Sequence, residues 1–266
     1  MFTLKKVTPD AIQAVYSGAE GQLWELIMGE QVHIGGMSSS IELATFGGVR
    51  GGMTVADLCC CSGAGMRFLL KLCGASHATG VDFTKAQLTL GKQRMAQAGI
   101  PPSQYKFHLG DVAQPHLKEA SVDLVWGEDA WCYVLDKPKL VAQARRALKP
   151  DGRVAFSDWV ATDKLTSAEA KHFMTFMKFP TLMTVEDYAK LLAKTGFQKV
   201  KTRVSPYFVP SIRHYLAMYT GQQAYDAFRL LGFSEEAYTA VLDEMLFIEN
   251  LAKAKKIVQA YFAGSC

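Results

Sequence analysis

The sequence predicts an α/β fold with a seven-stranded sheet, an N-terminal helical lid and an inserted helical lobe. Three observations lead to this fold class. A mostly apolar strand runs through a turn of small residues into a helix between residues 53 and 72. Strand-like and helix-like stretches then alternate as far as residue 160, which is typical of a parallel sheet. Hydrophobic residues make up 49% of the 266 residues, so a sizeable core can form.

Residues 1–50 form the predicted lid. Its predicted elements are helices at 11–16 and 21–28, a loop at 29–36 and a short helix beginning at 38. Such a leader can be a simple packing arm. As a lid, it would bring Tyr16, Trp24 and His33 towards a pocket and exclude water from it, which both methyl transfer and hydride transfer need.

Residues 51–160 form the predicted cofactor-binding core, which opens with a strand at 54–58. The turn after this strand points backbone N–H groups at a ligand, and Gly63 and Gly65 allow close approach because they have no Cβ. Asp82 ends the second strand, where a carboxylate can accept hydrogen bonds from both hydroxyls of a ribose. These features favour a nucleoside-bearing cofactor.

The carboxyl ends of five strands in this core present residues to the edge at which open α/β sheets bind ligands. The strands are predicted at 54–58, 78–82, 105–109, 122–126 and 153–159, and the helices at 66–72, 85–98 and 138–148. The residues presented at the strand ends are Cys59, Asp82, Asp111, Gly127 and Asp158.

Residues 161–252 form the predicted lobe, which is mostly helical and contains the sixth strand, and residues 253–266 contain the last strand. The helices are predicted at 166–178, 185–194, about 211–231 and 234–252, and the strands at 197–204 and 256–263. There is neither an internal repeat nor a low-complexity linker in the sequence. The prediction is therefore a single domain over residues 1–266.

Composition excludes several classes of protein. The formal net charge is only +4 and no block of like charges occurs, so no nucleic-acid partner is expected. There is no apolar run of about 18 residues and no signal-peptide pattern, which predicts a cytoplasmic protein without membrane association. The six cysteines do not resemble a secreted disulfide framework. Whether the chain forms a homodimer stays open.

Several motifs together resemble the class I S-adenosylmethionine-dependent methyltransferases. Asp57-Leu-Cys-Cys-Cys-Ser-Gly63 is similar to their Asp-Leu-Gly-Cys-Gly-x-Gly motif. Further similar segments lie at 80–82, 110–111, 122–130, 147–152 and 194–197. The segment 24–35 is similar to the opening motif of the small-molecule branch, which includes the tocopherol and alkaloid methyltransferases. Glu128-Asp-Ala130 looks like the sarcosine/dimethylglycine N-methyltransferases of the same branch.

This resemblance implies a Rossmann-like methyltransferase sheet, with S-adenosyl-L-methionine as the cofactor and S-adenosyl-L-homocysteine as its product. Asp57 would order the turn and meet the methionine ammonium, and Asp82 would hold the ribose. Asp111 and Val112 would bind adenine. The other residues implied in cofactor binding are Tyr16, Trp24, Cys59, Gly63, Gly65, Phe83, Gln87, Gly110, Trp126, Gly127 and Glu128.

The sequence departs from the family at three positions. Cys59 and Cys61 stand where the family has glycine, and Tyr133 stands where the nearest relatives have histidine. Because lost glycines can remove activity, a catalytically inactive S-adenosylmethionine-binding protein is an alternative.

Two classes outside the family are also considered. A nicotinamide oxidoreductase needs a third glycine at the position of Phe68 and a cradle for a pyrophosphate. A metal or redox protein could use Cys59, Cys60 and Cys61, but adjacent strand residues point to opposite faces and no Cys-x-x-Cys pair occurs. The prediction is therefore that no metal is bound.

The reaction predicted from the resemblance is an in-line displacement that transfers a methyl group to a small soluble molecule, which binds between the lid and the lobe. Such a transfer needs alignment and a dry site, and neither a nucleophilic residue nor a metal. His33, Tyr133 and His214 are the candidate catalytic residues. Nitrogen is the predicted acceptor atom, and oxygen, sulfur or carbon of a small aromatic or thiol metabolite is the alternative.

Overall fold

The computed structural model describes residues 1–4 and 6–266, which form an α/β fold. Its strands are β1 (Phe2–Thr3), β2 (Thr54–Leu58), β3 (His77–Asp82), β4 (Tyr105–Leu109), β5 (Val122–Glu128), β6 (Leu148–Ala161), β7 (Thr181–Leu182), β8 (Gln198–Val204) and β9 (Ile257–Ser265). Its helices are α1 (Pro9–Ser17), α2 (Ala19–Met28), α3 (Gly36–Gly47), α4 (Ala64–Lys71), α5 (Lys85–Gln97), α6 (Lys137–Ala147), α7 (Ser167–Met177), α8 (Val185–Lys194), α9 (Phe208–Tyr219), α10 (Gln222–Leu230) and α11 (Glu235–Lys253).

The predicted sheet is confirmed: within the described residues, seven strands lie in the order β4-β3-β2-β5-β6-β9-β8. The order reverses at β2, which pairs in parallel with β3 on one side and with β5 on the other. β9 runs antiparallel to both of its neighbours, β6 and β8. The reversal opens a crevice at the carboxyl ends of β2 and β5, and open α/β sheets bind ligands there.

Three element predictions are wrong. The helix predicted at about 211–231 is two helices, since α9 ends at Tyr219 and α10 begins after Gly221 in extended conformation. The sequence also predicts a loop over residues 205–210, but its last three residues belong to α9, because Pro210 lies in the first turn, where a missing N–H is tolerated. Asp158 lies inside β6 and not at its end, since β6 continues to Ala161.

The lid and the lobe share one apolar core. Leu23 and Ile27 of α2 and Ile34 of the following loop belong to the same buried cluster as Phe208 of α9 and Met245 of α11. Burying apolar surface between them stabilises the lid in its position over the sheet. The lid therefore packs on the lobe as well as on the carboxyl edge of the sheet.

Candidate active site

The turn between β2 and α4 uses left-handed backbone at alternate residues. The φ angles are 67° at Cys59, 48° at Cys61 and 74° at Gly63. The backbone N–H of Cys61 points across the crevice and donates to Oδ2 of Asp82 at 2.9 Å. The two cysteines that replace the family's glycines therefore occupy the backbone conformation that favours glycine.

Cys60 differs from its two neighbours. Its side chain is 5% exposed and packs over Gly80 of β3, where an added Cβ would lie 2.6 Å from Sγ of Cys60. Its φ is not positive. Only the middle cysteine of the three is thus a packing residue in ordinary backbone.

This difference predicts opposite responses to glycine substitution. Cys61→Gly relieves left-handed strain, so we expect its free energy of unfolding to stay within about 1 kcal/mol of the parent. Cys60→Gly removes a buried side chain and loosens the backbone, so we expect a loss of about 2 kcal/mol. Urea denaturation of both variants checks this expectation. A larger loss in Cys61→Gly than in Cys60→Gly would contradict it.

Asp82 lies at the end of β3, beside this turn. Its Oδ1 accepts from the Thr84 N–H at 2.8 Å, and its Oδ2 accepts from Cys61. Burial raises the pKa of Asp82, and the backbone donors of Thr84 and Cys61 oppose that rise. The carboxylate is thus held rigidly, facing the cavity.

Two hydrogen bonds from side-chain amides hold helix α1 over Asp82. Nε2 of Gln13 donates to the Phe83 carbonyl at 2.5 Å, and Nε2 of Gln87 donates to the Tyr16 carbonyl at 2.6 Å. These bonds join the lid to the start of α5. The lid therefore closes the crevice beside Asp82.

A second cluster of carboxyl groups, formed by Asp57 and Glu128, lies beside Gly65. A Cβ added to Gly65 would lie 2.9 Å from Oδ2 of Asp57 and 2.9 Å from Oε2 of Glu128. Burial raises the pKa of Asp57 well above its usual value, and Glu128 and Asp82 raise it further. Three carboxylic groups on neighbouring strand ends suit a cationic ligand, so this donor set fits the ammonium and sulfonium of S-adenosylmethionine and not a pyrophosphate.

A cavity lies between these acids and the lid, with about 530 Å³ of empty space when its opening to solvent is included. The structure brings many of the predicted cofactor residues to its wall. These are Tyr16, Cys59, Asp82, Phe83, Gln87 and Glu128. The wall also contains residues that were not predicted as cofactor-binding. These are Ile12, Val32, Cys61, Thr84, Asp129, Ala130 and Tyr133. We call this space the cofactor cavity.

Other predicted cofactor residues lie outside this wall. Asp57, Gly63 and Gly65 lie behind it, in the strand and the turn that shape it. Asp111 is exposed, and its Oδ1 accepts from the Ala113 N–H at 2.8 Å. The remaining residues follow β4 or belong to β5, and they are Gly110, Val112, Trp126 and Gly127. Of these, Val112 and Trp126 are buried in the core because their side chains point into apolar clusters.

A larger cavity of about 940 Å³ lies between the lid and the lobe, and we call it the acceptor cavity. Trp24 and His33 line it, so Trp24, predicted to bind the cofactor, faces this space. The two cavities share Ile12, Tyr16, Val32, Asp129 and Tyr133. The two cavities therefore adjoin at these residues.

Two tyrosines form the junction between the cavities. The Tyr16 hydroxyl donates to the Tyr133 hydroxyl at 2.9 Å, and the rings meet edge to face with centroids 5.7 Å apart. Burial is the main cause that raises the pKa of both phenols, so both stay protonated at neutral pH. This bond uses one of the two hydroxyl protons, so the other stays available to a ligand.

Asp129 fastens the lid loop to the sheet. Its Oδ1 accepts from Oγ of Ser157 at 2.7 Å, and its Oδ2 accepts from the Ile34 N–H at 2.8 Å and from Nε2 of Gln259 at 2.7 Å. The Tyr215 hydroxyl accepts from the N–H of the next loop residue, Gly35, at 3.1 Å. Sequence reasoning assigned no role to Asp129, although it lies in the quoted Glu128-Asp-Ala130 motif.

The two candidate histidines differ in environment. His33 is buried, and its Nε2 lies 2.8 Å from Oε1 of Gln31, 3.1 Å from Oγ of Ser40 and 3.3 Å from Oε1 of Glu128. His214 is exposed and lies outside the lining of both cavities. The reason is helical phase, since the buried face of α9 carries Ile212 and Tyr215.

The seven-stranded sheet has the Rossmann-like fold of methyltransferases of known structure. Residues 56–156 match a family model described as a methyltransferase domain. This stretch of the chain therefore matches a methyltransferase domain, in agreement with the class predicted from the sequence. Across residues 1–4 and 6–266, no helix has the length and apolarity needed to cross a membrane. The same residues contain no group of three or more acidic, histidine or cysteine side chains arranged for a metal.

Several relatives are phosphoethanolamine N-methyltransferases. Phosphoethanolamine N-methyltransferase 1 of Arabidopsis thaliana is 26% identical over 66% of this chain and 35% of its own length. The enzyme of Plasmodium falciparum is 25% identical over 71% of this chain and 70% of its own. The chain thus spans about a third of the first relative.

A solved structure shares the fold over nearly the whole chain. It is phosphoethanolamine N-methyltransferase 2 of Haemonchus contortus in complex with phosphomonomethylethanolamine and S-adenosylhomocysteine. The TM-score is 0.83 with 21% identity, covering 95% of this chain and 58% of that one.

Proposed function

We propose that this protein is an S-adenosylmethionine-dependent methyltransferase that methylates a nitrogen atom of a small molecule. The observation that carries the proposal is the meeting of the cofactor cavity and the acceptor cavity at Tyr16, Asp129 and Tyr133. A methyl transfer requires two ligands to touch in a dry space. Two adjoining cavities under one lid supply that arrangement.

The residues of the cofactor cavity have distinct roles in this proposal. Asp82 accepts hydrogen bonds from the ribose, and Phe83 lies against the adenine. Asp57 and Glu128 balance the charge of the methionine ammonium, which removes the repulsion between these two buried acids. When bound, S-adenosylmethionine supplies an electrophilic methyl group on a sulfonium. The chain itself aligns the acceptor and excludes water.

Two observations favour nitrogen as the acceptor atom. Several relatives are named as phosphoethanolamine N-methyltransferases, and another is named as a sterol 24-C-methyltransferase. An oxygen or thiol acceptor usually needs a base, but Nε2 of His33 already faces Gln31, Ser40 and Glu128. Tyr16 and Tyr133 keep their protons and serve as hydrogen-bond donors, not as bases. A neutral amine has its own lone pair, so among these acceptors it needs the least assistance from the residues of this site.

The proposal includes a cytoplasmic location and small-molecule partners. All six cysteines are free, as expected in a reducing compartment. The formal net charge of +4 argues against a nucleic-acid partner. Both cavities are lined by residues of a single chain, so a homodimer is compatible with the proposal and not required by it.

Calorimetry with S-adenosylhomocysteine, followed by a screen with radiolabelled S-adenosylmethionine, tests the proposal. The acceptors to compare are amines, phenols and thiols. We expect cofactor binding and methylation of amines only. Binding of NAD in place of S-adenosylhomocysteine would overturn the class of enzyme. Methylation confined to phenols or thiols would overturn the choice of nitrogen, and cofactor binding without any turnover would indicate an inactive binding protein.

A further inference from the structure

The acceptor cavity is mostly apolar. Its walls include Trp24 from the lid, Trp159 from β6, Phe176 and Met177 from α7, and Met245 and Ile248 from α11. These side chains border about 940 Å³ of empty space, part of which is open to solvent. A ligand that covers them gains roughly 25 cal/mol for each Å² of apolar surface removed from water.

The charges in this cavity favour a cation. Glu20 and Asp129 contribute carboxylates, but both oxygens of Asp129 already accept hydrogen bonds from Ser157, Ile34 and Gln259. The Glu20 carboxylate receives one long contact, from Nε1 of Trp24 at 3.4 Å. Glu20 is therefore the carboxylate that remains available to a ligand.

The acceptor cavity has few groups that could bind an anion. Within the described residues of its lining there is no arginine, and Lys178 is the only side chain with a permanent positive charge. His33 has partners of the chain at both ring nitrogens, Gln31 and Ser40 at Nε2 and the Ile34 carbonyl at Nδ1, 3.4 Å away. Recognition of a phosphate or carboxylate commonly uses several charged donors, or a bidentate arginine.

Building on the proposed function, we propose that the acceptor is an apolar amine: an amino group on an aromatic or aliphatic body without phosphate or carboxylate. Its ammonium pairs with Glu20 beside the indole of Trp24, where cation–π attraction adds to the charge. Its apolar body lies against Phe176, Met177 and Met245. The relatives named for phosphoethanolamine thus differ from this chain in the acceptor they bind.

The methyl transfer needs no reactant other than the amine and S-adenosylmethionine. The ammonium first gives a proton to Glu20 or to water, which exposes the nitrogen lone pair. This lone pair forms the new N–C bond as the C–S bond breaks, and the electron pair of the broken bond stays on sulfur. The product is a methylated ammonium, and a neutral thioether remains in the cofactor cavity.

A matched pair of ligands tests this inference. 2-Phenylethylamine and phosphoethanolamine share an aminoethyl chain and differ in the group at its end, phenyl or phosphate. We expect calorimetry on protein saturated with S-adenosylhomocysteine to show at least tenfold tighter binding of 2-phenylethylamine. We also expect faster methylation of this amine. No binding of 2-phenylethylamine, or tighter binding of phosphoethanolamine, overturns the inference.

A pair of variants tests the assigned carboxylate. Glu20 and Glu186 both lie in the first turn of their helices, α2 and α8, but only Glu20 faces the acceptor cavity. We expect Glu20→Gln to weaken 2-phenylethylamine binding about tenfold or more, and Glu186→Gln to leave it unchanged. Equal binding by both variants contradicts the role of Glu20. If the parent does not bind S-adenosylhomocysteine, the proposed function fails instead, so the two failures are distinguishable.

Discussion

Replacing Asp82 by asparagine is expected to weaken S-adenosylhomocysteine binding by about 10- to 100-fold. The carboxylate is proposed to accept hydrogen bonds from the two ribose hydroxyls, and a hydrogen bond to a charged group contributes about 1.5–3 kcal/mol. Asparagine has nearly the same size and still accepts one of the two backbone hydrogen bonds, from Thr84 or from Cys61. Calorimetric titration measures the effect.

Asp123 provides the matched control. It lies near the opposite end of the sheet, where its Oδ2 accepts from the Thr54 N–H at 2.8 Å and its Oδ1 pairs with Lys149. Asp123→Asn therefore also loses a charged acceptor of a backbone hydrogen bond, but far from the cofactor cavity. We expect its S-adenosylhomocysteine affinity to equal that of the parent. Unchanged affinity in Asp82→Asn would remove Asp82 from the ribose site.

Replacing Tyr133 by phenylalanine is expected to lower methyl transfer about 100-fold, the typical effect of losing one preorganised hydrogen-bond donor. The Tyr133 hydroxyl lies where the two cavities meet and shares a hydrogen bond with the Tyr16 hydroxyl, so the pair has one further proton to donate to a ligand. The ring itself is kept, so we expect S-adenosylhomocysteine affinity to change less than threefold. Single-turnover kinetics and calorimetry measure the two quantities separately.

Tyr219 on α9 is the control for this variant. Its hydroxyl also makes a buried hydrogen bond, to the Tyr238 carbonyl at 2.9 Å, but it lies outside both cavities. Tyr219→Phe is expected to keep the parental turnover. If Tyr133→Phe and Tyr219→Phe slow methyl transfer equally, the slower transfer results from lower protein stability and not from the position of Tyr133. If Tyr133→Phe loses cofactor affinity, Tyr133 belongs to the cofactor side of the junction.

Local patterns predicted the turn and the fold well. The small residues after β2 had to form a tight turn, and the structure places Cys59 and Cys61 in left-handed backbone, as the family's glycines at those positions imply. The end of β3 could be predicted because its apolar run stops at a polar residue. The carboxylate of Asp82 was therefore correctly placed at the carboxyl edge of the sheet.

Contacts between distant segments could not be predicted in the same way. Asp129 meets Gln259 across 130 residues of chain, and no local pattern records that contact. The position of His214 depended on the phase of α9, and the sequence reading merged this helix with α10. Trp24 was assigned to the cofactor because a motif gives the residue type, whereas the packing of α2 against the lobe decides which cavity it faces.

The place of β9 in the sheet has a consequence for folding. β9 follows β8 in the chain but lies between β6 and β8, and within the described sheet β8 pairs with no other strand. The ladder between β6 and β9 joins residues about a hundred positions apart, from Arg153↔Ser265 to Ala161↔Ile257. Such non-local pairing is slow to form, and it leaves the edge of β6 open in the meantime. During synthesis, this half of the sheet therefore cannot assemble in the order in which its strands emerge, and β8 must wait for β9.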